Sequence, residues 1–239
     1  MSHNGFELDK YFKTDDLKKC SRFWIILFKT ILSKLYHWKI YVVGSVEYQY
    51  PNHLFQAGYF LDKKYYDENT IDFKHLLLSE KNQSLLKDIQ NSNSVGVHIR
   101  RGDYMTKQNL VIFGNICTQK YYHDAIRIIT EKVNDAVFYV FSDDISWVQT
   151  HLDIPNAVYV NWNTGESSIY DMYLMSSCKY NIIANSTFSY WAARLNKKTN
   201  MVIYPSKWYN TFTPDIFPES WCGCLLYTSP SPRDLSTSR

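Results

Sequence analysis

From about residue 90 onward the chain alternates two patterns. Short apolar, β-rich runs appear at Val95–Ile99 (VGVHI), Ala136–Phe141 (AVFYVF), Ala157–Val160 (AVYV), Asn181–Ala184 (NIIA) and Met201–Tyr204 (MVIY). Between them, over 119–133, 144–151, 168–179 and 187–196, apolar positions recur every three to four residues, which predicts helices. Strands alternating with helices predict an α/β unit with a parallel sheet wound on both sides. Runs apolar at consecutive positions, such as VGV and NIIA, suit strands covered on both faces.

The first ninety residues are less regular. They read as a strand at Phe6–Phe12, a basic helix, a strand-like stretch at Ile40–Tyr50 and a helical pattern over Phe73–Ile89. The basic helix lines up Leu17, Cys20, Trp24, Leu27, Ile31 and Leu35, with Lys18, Arg22, Lys29 and Lys34 elsewhere. Such a helix packs on a core or lies on an anionic membrane, and its apolar centre, Phe23–Phe28, is too short to span a bilayer. Together these elements form part of a second α/β unit, ending at the polar Asn91–Ser94. The expected organisation is a partial N-terminal domain over 1–92, a second domain over 93–224, and a Ser/Pro/Thr/Arg-rich tail over 225–239 that reads as disordered or non-native.

Composition narrows the classes. With 45% hydrophobic and 17% aromatic residues among 239, the chain is neither disordered nor fibrous. A net charge of +3 gives no reason to expect nucleic acid. The 5 Cys form no CxxC pair and fit no zinc spacing. Without a signal-peptide pattern, the expected location is cytoplasmic, with peripheral contact at the membrane face as an option.

Doubly wound sheets bind ligands where strands end, and polar residues gather there. The first strand runs into His98, Arg100, Arg101, Gly102 and Asp103. Two adjacent Arg leaving a strand point to different sides, so one can face the crevice while the other ties down the loop. A guanidinium suits phosphate oxygens, and Asp103 can orient an Arg or act as a base. The second strand ends in Ser142-Asp143-Asp144, which reads as a helix N-cap rather than a metal pair. The fourth ends in Asn185-Ser186-Thr187-Phe188-Ser189, where Ser186 or Thr187 caps a helix whose free N–H groups suit an anion. Asp171 and Glu166 are weaker candidates for touching a sugar or ribose. GxGxxG, Walker A, HExxH and GxSxG patterns are missing. Arg101-Gly102-Asp103 also spells an integrin-ligand tripeptide, and Asn82-Gln83-Ser84 and Asn185-Ser186-Thr187 match glycosylation sequons.

Five stretches together resemble the alpha-1,2-fucosyltransferases of glycosyltransferase family 11. They are VGVHIRRGDY (95–104), FSDD (141–144), DMYLMSSCKYNIIANSTFSYWAARLN (171–196), VIYPSKWYN (202–210) and GYFLDKKYY (58–66). The resemblance implies a GT-B fold of two Rossmann-like domains, the N-terminal one incomplete. It implies GDP-fucose as donor, a galactose-terminated glycan as acceptor, inversion at the anomeric carbon and no metal. Carried over, His98, Arg100, Arg101 and Asp103 match the HxRRxD motif, with His98, Arg100 and Asp103 as candidate catalytic residues. Ser142, Asp143, Asn185, Ser186, Thr187, Phe188 and Ser189 match positions lining the nucleotide. The family's Gly-rich opening, a G-x-G-N-Q-x-F-like segment, has no counterpart here, so the chain resembles the family from its second strand onward. An inactive sugar-nucleotide-binding fragment and a protein O-fucosyltransferase are the alternatives.

Overall fold

A computed structural model describes residues 8–13, 31, 41–43, 55–57 and 71–224. In chain order these form helix α1 (Leu8–Tyr11), strands β1 (Tyr41–Val43) and β2 (Phe55–Ala57), helix α2 (Glu80–Asn91), strand β3 (Asn93–Ile99), and helices α3 (Lys107–Phe113) and α4 (Gln119–Lys132). Then follow β4 (Ala136–Ser142), α5 (Ile145–His151), β5 (Ala157–Val160), α6 (Ser168–Ser176), β6 (Tyr180–Ile182), α7 (Thr187–Arg194), β7 (Met201–Pro205) and β8 (Cys222–Cys224).

Strands β3 to β8 build one six-stranded sheet in the order β5-β4-β3-β6-β7-β8, and every neighbouring pair is parallel. Numbered within the sheet, this is the 3-2-1-4-5-6 order of the doubly wound Rossmann fold. The alternation read from the sequence therefore produced the expected α/β architecture. A second, two-stranded parallel ladder joins β1 to β2, with Tyr41 opposite Phe55.

Side chains alternate across the sheet and fill two cores. Val95, Val97 and Ile99 of β3 and Phe138 and Val140 of β4 pack with Tyr121, Ala125 and Ile129 of α4. Tyr139 and Phe141 of β4 face the other way, onto Ile89 of α2, Met172 and Met175 of α6 and Ala192 of α7. All of β3 after Asn93 is buried, as its continuous apolar run predicts.

Four expectations are corrected. Residues 8–11 are helical rather than a strand: Leu8, Tyr11 and Phe12 recur at i, i+3 and i+4, and only Phe12 makes a strand-like bridge, with Phe73. The helix expected over Phe73–Ile89 begins at Glu80, because Ser79 Oγ accepts the Asn82 N–H and fixes the N-terminus. The polar loop at Asn91–Ser94 shrinks to Ser92, since Asn93 already pairs with Ala136. Helix α2 thus packs on the same sheet as the elements that follow it. Finally, α3 and the edge strand β8 were not foreseen. The basic helix over 17–35 apart from residue 31, the family-like stretch 58–66, most of 40–50 and the tail over 225–239 lie outside the described residues. Among the described residues no helix is long and apolar enough to cross a membrane.

Candidate functional site

In this strand order the chain turns opposite ways after β3 and β6, and the crevice opens between their carboxyl ends. Beyond β3 the two arginines separate. Arg100 reaches Asp103 Oδ1 at 2.7 Å and Asp143 Oδ2 at 2.8 Å, and its side chain remains 27% exposed. Arg101 turns away: its Nε donates to Asp144 Oδ2 at 3.1 Å and its guanidinium lies 3.7 Å from the centre of the Trp147 ring. Its backbone N–H donates to Asp143 Oδ1 at 2.9 Å. Arg100 is therefore held between two carboxylates at the crevice while Arg101 anchors the loop, the division expected for adjacent arginines leaving a strand. A Cβ at Gly102 would press on the Asp143 carboxylate, which would have to move away from its bonds to Arg100 and Arg101.

At the other wall, Ser186 sits at the N-cap of α7 without using its side chain as a cap. Neither its hydroxyl nor that of exposed Thr187 has a hydrogen bond among the described residues. The first-turn N–H groups of α7 and both hydroxyls thus keep capacity for an anion. Neighbouring residues are differently engaged. Asn185 Nδ2 donates to the carbonyls of Phe113 and Trp208, and its Oδ1 accepts from Cys117. Ser189 Oγ bonds to the Ala184 N–H and to the Ala184 and Ser186 carbonyls. Both side chains act inside the protein, as does Ser142, whose Oγ accepts the Asp144 N–H.

His98 lies on the α6–α7 side of β3. It is buried, its ring lies tilted against Phe188 with centroids 5.0 Å apart, and its Nδ1 has no hydrogen-bond partner. Burial, helped by the Arg100 charge, pushes its pKa down to about 3, so the imidazole is neutral at physiological pH. On the same side, Asp171 accepts from Asn163 Nδ2 at 2.7 Å. Asn82 Oδ1 accepts from Asn163 Nδ2 and from Trp162 Nε1, closing a network between α2, α6 and the loop after β5. Burial raises the Asp171 pKa to about 7 against the single favourable bond from Asn163. Glu166 stands apart, in an exposed pair with Lys10 at 3.8 Å.

Across the sheet edge, on the α4 side, a cavity of about 380 Å³ opens beside Arg100. Its walls come from Ile99 and Tyr104 at the end of β3, Leu110 and Phe113 of α3, Thr118 and Gln119 at the start of α4, and Trp147. Helix α3, which walls it, carries little helical periodicity in sequence, and its one local signal is Thr106, whose side chain accepts the Asn109 N–H at the helix start. Both sequon asparagines are buried and bonded, and Arg101 and Asp103 are held in separate ion pairs. The glycosylation reading therefore loses its exposed asparagines.

Residues 13–224 match the profile of glycosyl transferase family 11. The chain belongs to that family. The chain is 35% identical over 193 residues to an alpha-1,2-colitosyltransferase of Escherichia coli, the match covering 74% of this chain and 62% of that protein. It is 27% identical over 169 residues to galactoside alpha-(1,2)-fucosyltransferase 2 of Pongo pygmaeus, covering 65% and 49%. Among solved structures, the fucosyltransferase NodZ from Bradyrhizobium matches 78% of this chain and 62% of its own at 14% identity and a TM-score of 0.40. The family 11 chain thus spans less than two-thirds of the length of these relatives.

Proposed function

We propose that the protein transfers L-fucose from GDP-fucose to the 2-hydroxyl of a terminal galactose on a glycan, with inversion. The observation that carries this reading is the pairing, across one crevice, of the Arg100 guanidinium with the uncapped N-terminus of α7. Charge builds on the leaving diphosphate as the bond to the anomeric carbon stretches, and fixed donors aimed there stabilise it without reorganising. Arg100, already oriented by Asp103 and Asp143, meets one side of that charge. The N–H groups and hydroxyls of Ser186 and Thr187 meet the other, and no metal has a step in this scheme. On the His98 side, the partly exposed Phe188 ring offers an apolar face to the nucleoside. Neutral His98 is too weak a base to deprotonate the acceptor hydroxyl. Asp103, half-exposed and with Oδ2 unbonded among the described residues, is the better-placed acceptor of that proton.

The similarity to an alpha-1,2-colitosyltransferase supports a second donor, the 3-deoxy counterpart of the same sugar. Calorimetric titration with GDP, paired with turnover of GDP-fucose and GDP-colitose on lactose, separates these readings. Transfer from GDP-fucose supports the first, and transfer from GDP-colitose alone supports the second. Binding of GDP with no transfer identifies a nucleotide-sugar-binding module. Arg100→Ala is expected to weaken GDP at least about a hundredfold, the scale of a charge-assisted bidentate contact. Unchanged GDP affinity in that variant would remove Arg100 from the site.

A further inference from the structure

The cavity beside Arg100 has a composition unlike the crevice it adjoins. Apart from Arg100, which the diphosphate reading already uses, its cations are matched: Arg101 by Asp144 at 3.1 Å and Lys120 by Asp124 at 2.7 Å. A second anion would find no unmatched charge there. What remains is an apolar wall, Ile99, Leu110 and Phe113, facing a rim of hydroxyl and amide groups at Thr118 and Gln119. The volume of about 380 Å³ lies in the range of small-molecule sites and exceeds a single hexose. Because Arg100 is part of its wall, a group joined to a phosphate on Arg100 is within reach of the cavity.

We propose that this cavity seats the sugar half of the nucleotide-sugar donor, a neutral 6-deoxyhexose. This assignment rests on the donor reading given above and adds to it where each half of the donor lies. The nucleoside occupies the α6–α7 side of the sheet, near His98, and the diphosphate crosses the sheet edge at Arg100. The sugar turns to the α4 side, its methyl group against Leu110 and Phe113 and its hydroxyls toward Thr118 and Gln119. An apolar wall discriminates against a hydroxyl at carbon 6, since burying it unpartnered is costly.

Two substitutions fill the cavity from different segments. Met105→Trp starts from a residue 46% exposed, and Gln119→Trp from an exposed position at the start of α4, so neither disturbs the core. Dissociation constants for GDP and for GDP-fucose are measured on the full chain and on both variants, with thermal unfolding as a check on folding. The expected result is unchanged GDP affinity and a ratio of GDP-fucose to GDP dissociation constants raised about tenfold or more. Wild-type protein is also expected to bind GDP-L-galactose, the 6-hydroxylated counterpart, about tenfold more weakly than GDP-fucose. An unchanged ratio in both folded variants would overturn the assignment while leaving the donor reading intact. Equal loss of GDP and GDP-fucose would also overturn it, by placing the nucleotide in the cavity. Wild-type protein that binds neither ligand would remove the donor reading and this assignment with it.

Discussion

Asp171 offers a test of the structure that needs no substrate. Its carboxyl sits among Asn163, Asn82 and Trp162 with one bond donated to it and no counter-charge in that network. Burial raises its pKa from 3.8 to about 7. Between those values the folded chain holds a proton that the unfolded chain has released, so stability falls as pH rises through this window and levels off above it. At about 1.4 kcal/mol per decade the full conversion is about 4 kcal/mol. Water reaching the incompletely buried carboxyl reduces this, and about 2 to 4 kcal/mol is expected.

The wild-type profile alone hides the effect. His98 is shifted the opposite way, from 6.5 to about 3, and a buried neutral imidazole adds stability as pH rises over much the same range. The two slopes oppose each other. Asp171→Asn removes one of them while preserving the shape and the bond from Asn163. Urea unfolding of both proteins at pH 4, 5, 6, 7 and 8 gives the difference directly. The variant is expected to be more stable by about 2 to 4 kcal/mol at pH 8, with the gap closing toward pH 4. Its own stability then rises from pH 4 to 6.5 as the His98 contribution stands alone. A difference independent of pH, or a variant less stable at pH 8, would refute the claim that Asp171 is a buried, unpaired carboxyl.

Two further substitutions test the packing around the crevice. Asn185→Ala leaves the carbonyls of Phe113 and Trp208 without their donor and is expected to cost about 2 to 4 kcal/mol in urea unfolding; a cost below about 1 kcal/mol would mean Asn185 does not hold α3 to the sheet. Asn181 is fully buried with both amide atoms unbonded, so the similarly shaped Asn181→Leu is expected to stabilise by about 1 kcal/mol, and a lowered melting temperature would count against that orphaned amide.

The sheet was legible because its physics is local. A strand covered on both faces must be apolar at successive positions, and β3, β4 and β6 are, so VGVHI, AVFYVF and NIIA declare themselves without any tertiary information. Elements held together by distant partners stayed hidden. Helix α3 owes its position to Asn185 and Asn210, whose side chains reach the carbonyls of Phe113 and of Val111 and Gly114 from more than seventy residues away. Strand β8 is three residues whose place depends on β7. At the N-terminus, the alternation around Phe6–Phe12 imitates a strand, while the chain folds residues 8–11 as a helix and uses Phe12 to meet Phe73.

The site shows a similar division between location and role. Strand-end position placed Arg100, Asp143 and Ser186 at the carboxyl edge of the sheet, where a doubly wound fold gathers polar groups. Position could not assign tasks, since those depend on which partner a side chain finds. Arg100 and Arg101 are chemically identical neighbours, and only Asp143, between them, makes one a crevice cation and the other an anchor on Trp147 and Asp144. Ser186 and Ser189 are likewise alike in sequence. Ser189 is enclosed by Ala184 and the backbone of its own turn, while Ser186, three residues earlier, leaves its hydroxyl unengaged at the helix end. The same reasoning separates Asn185 from the residues beside it: with each polar atom of its side chain already bonded to the protein, it shapes the crevice wall and has no group left to offer a ligand.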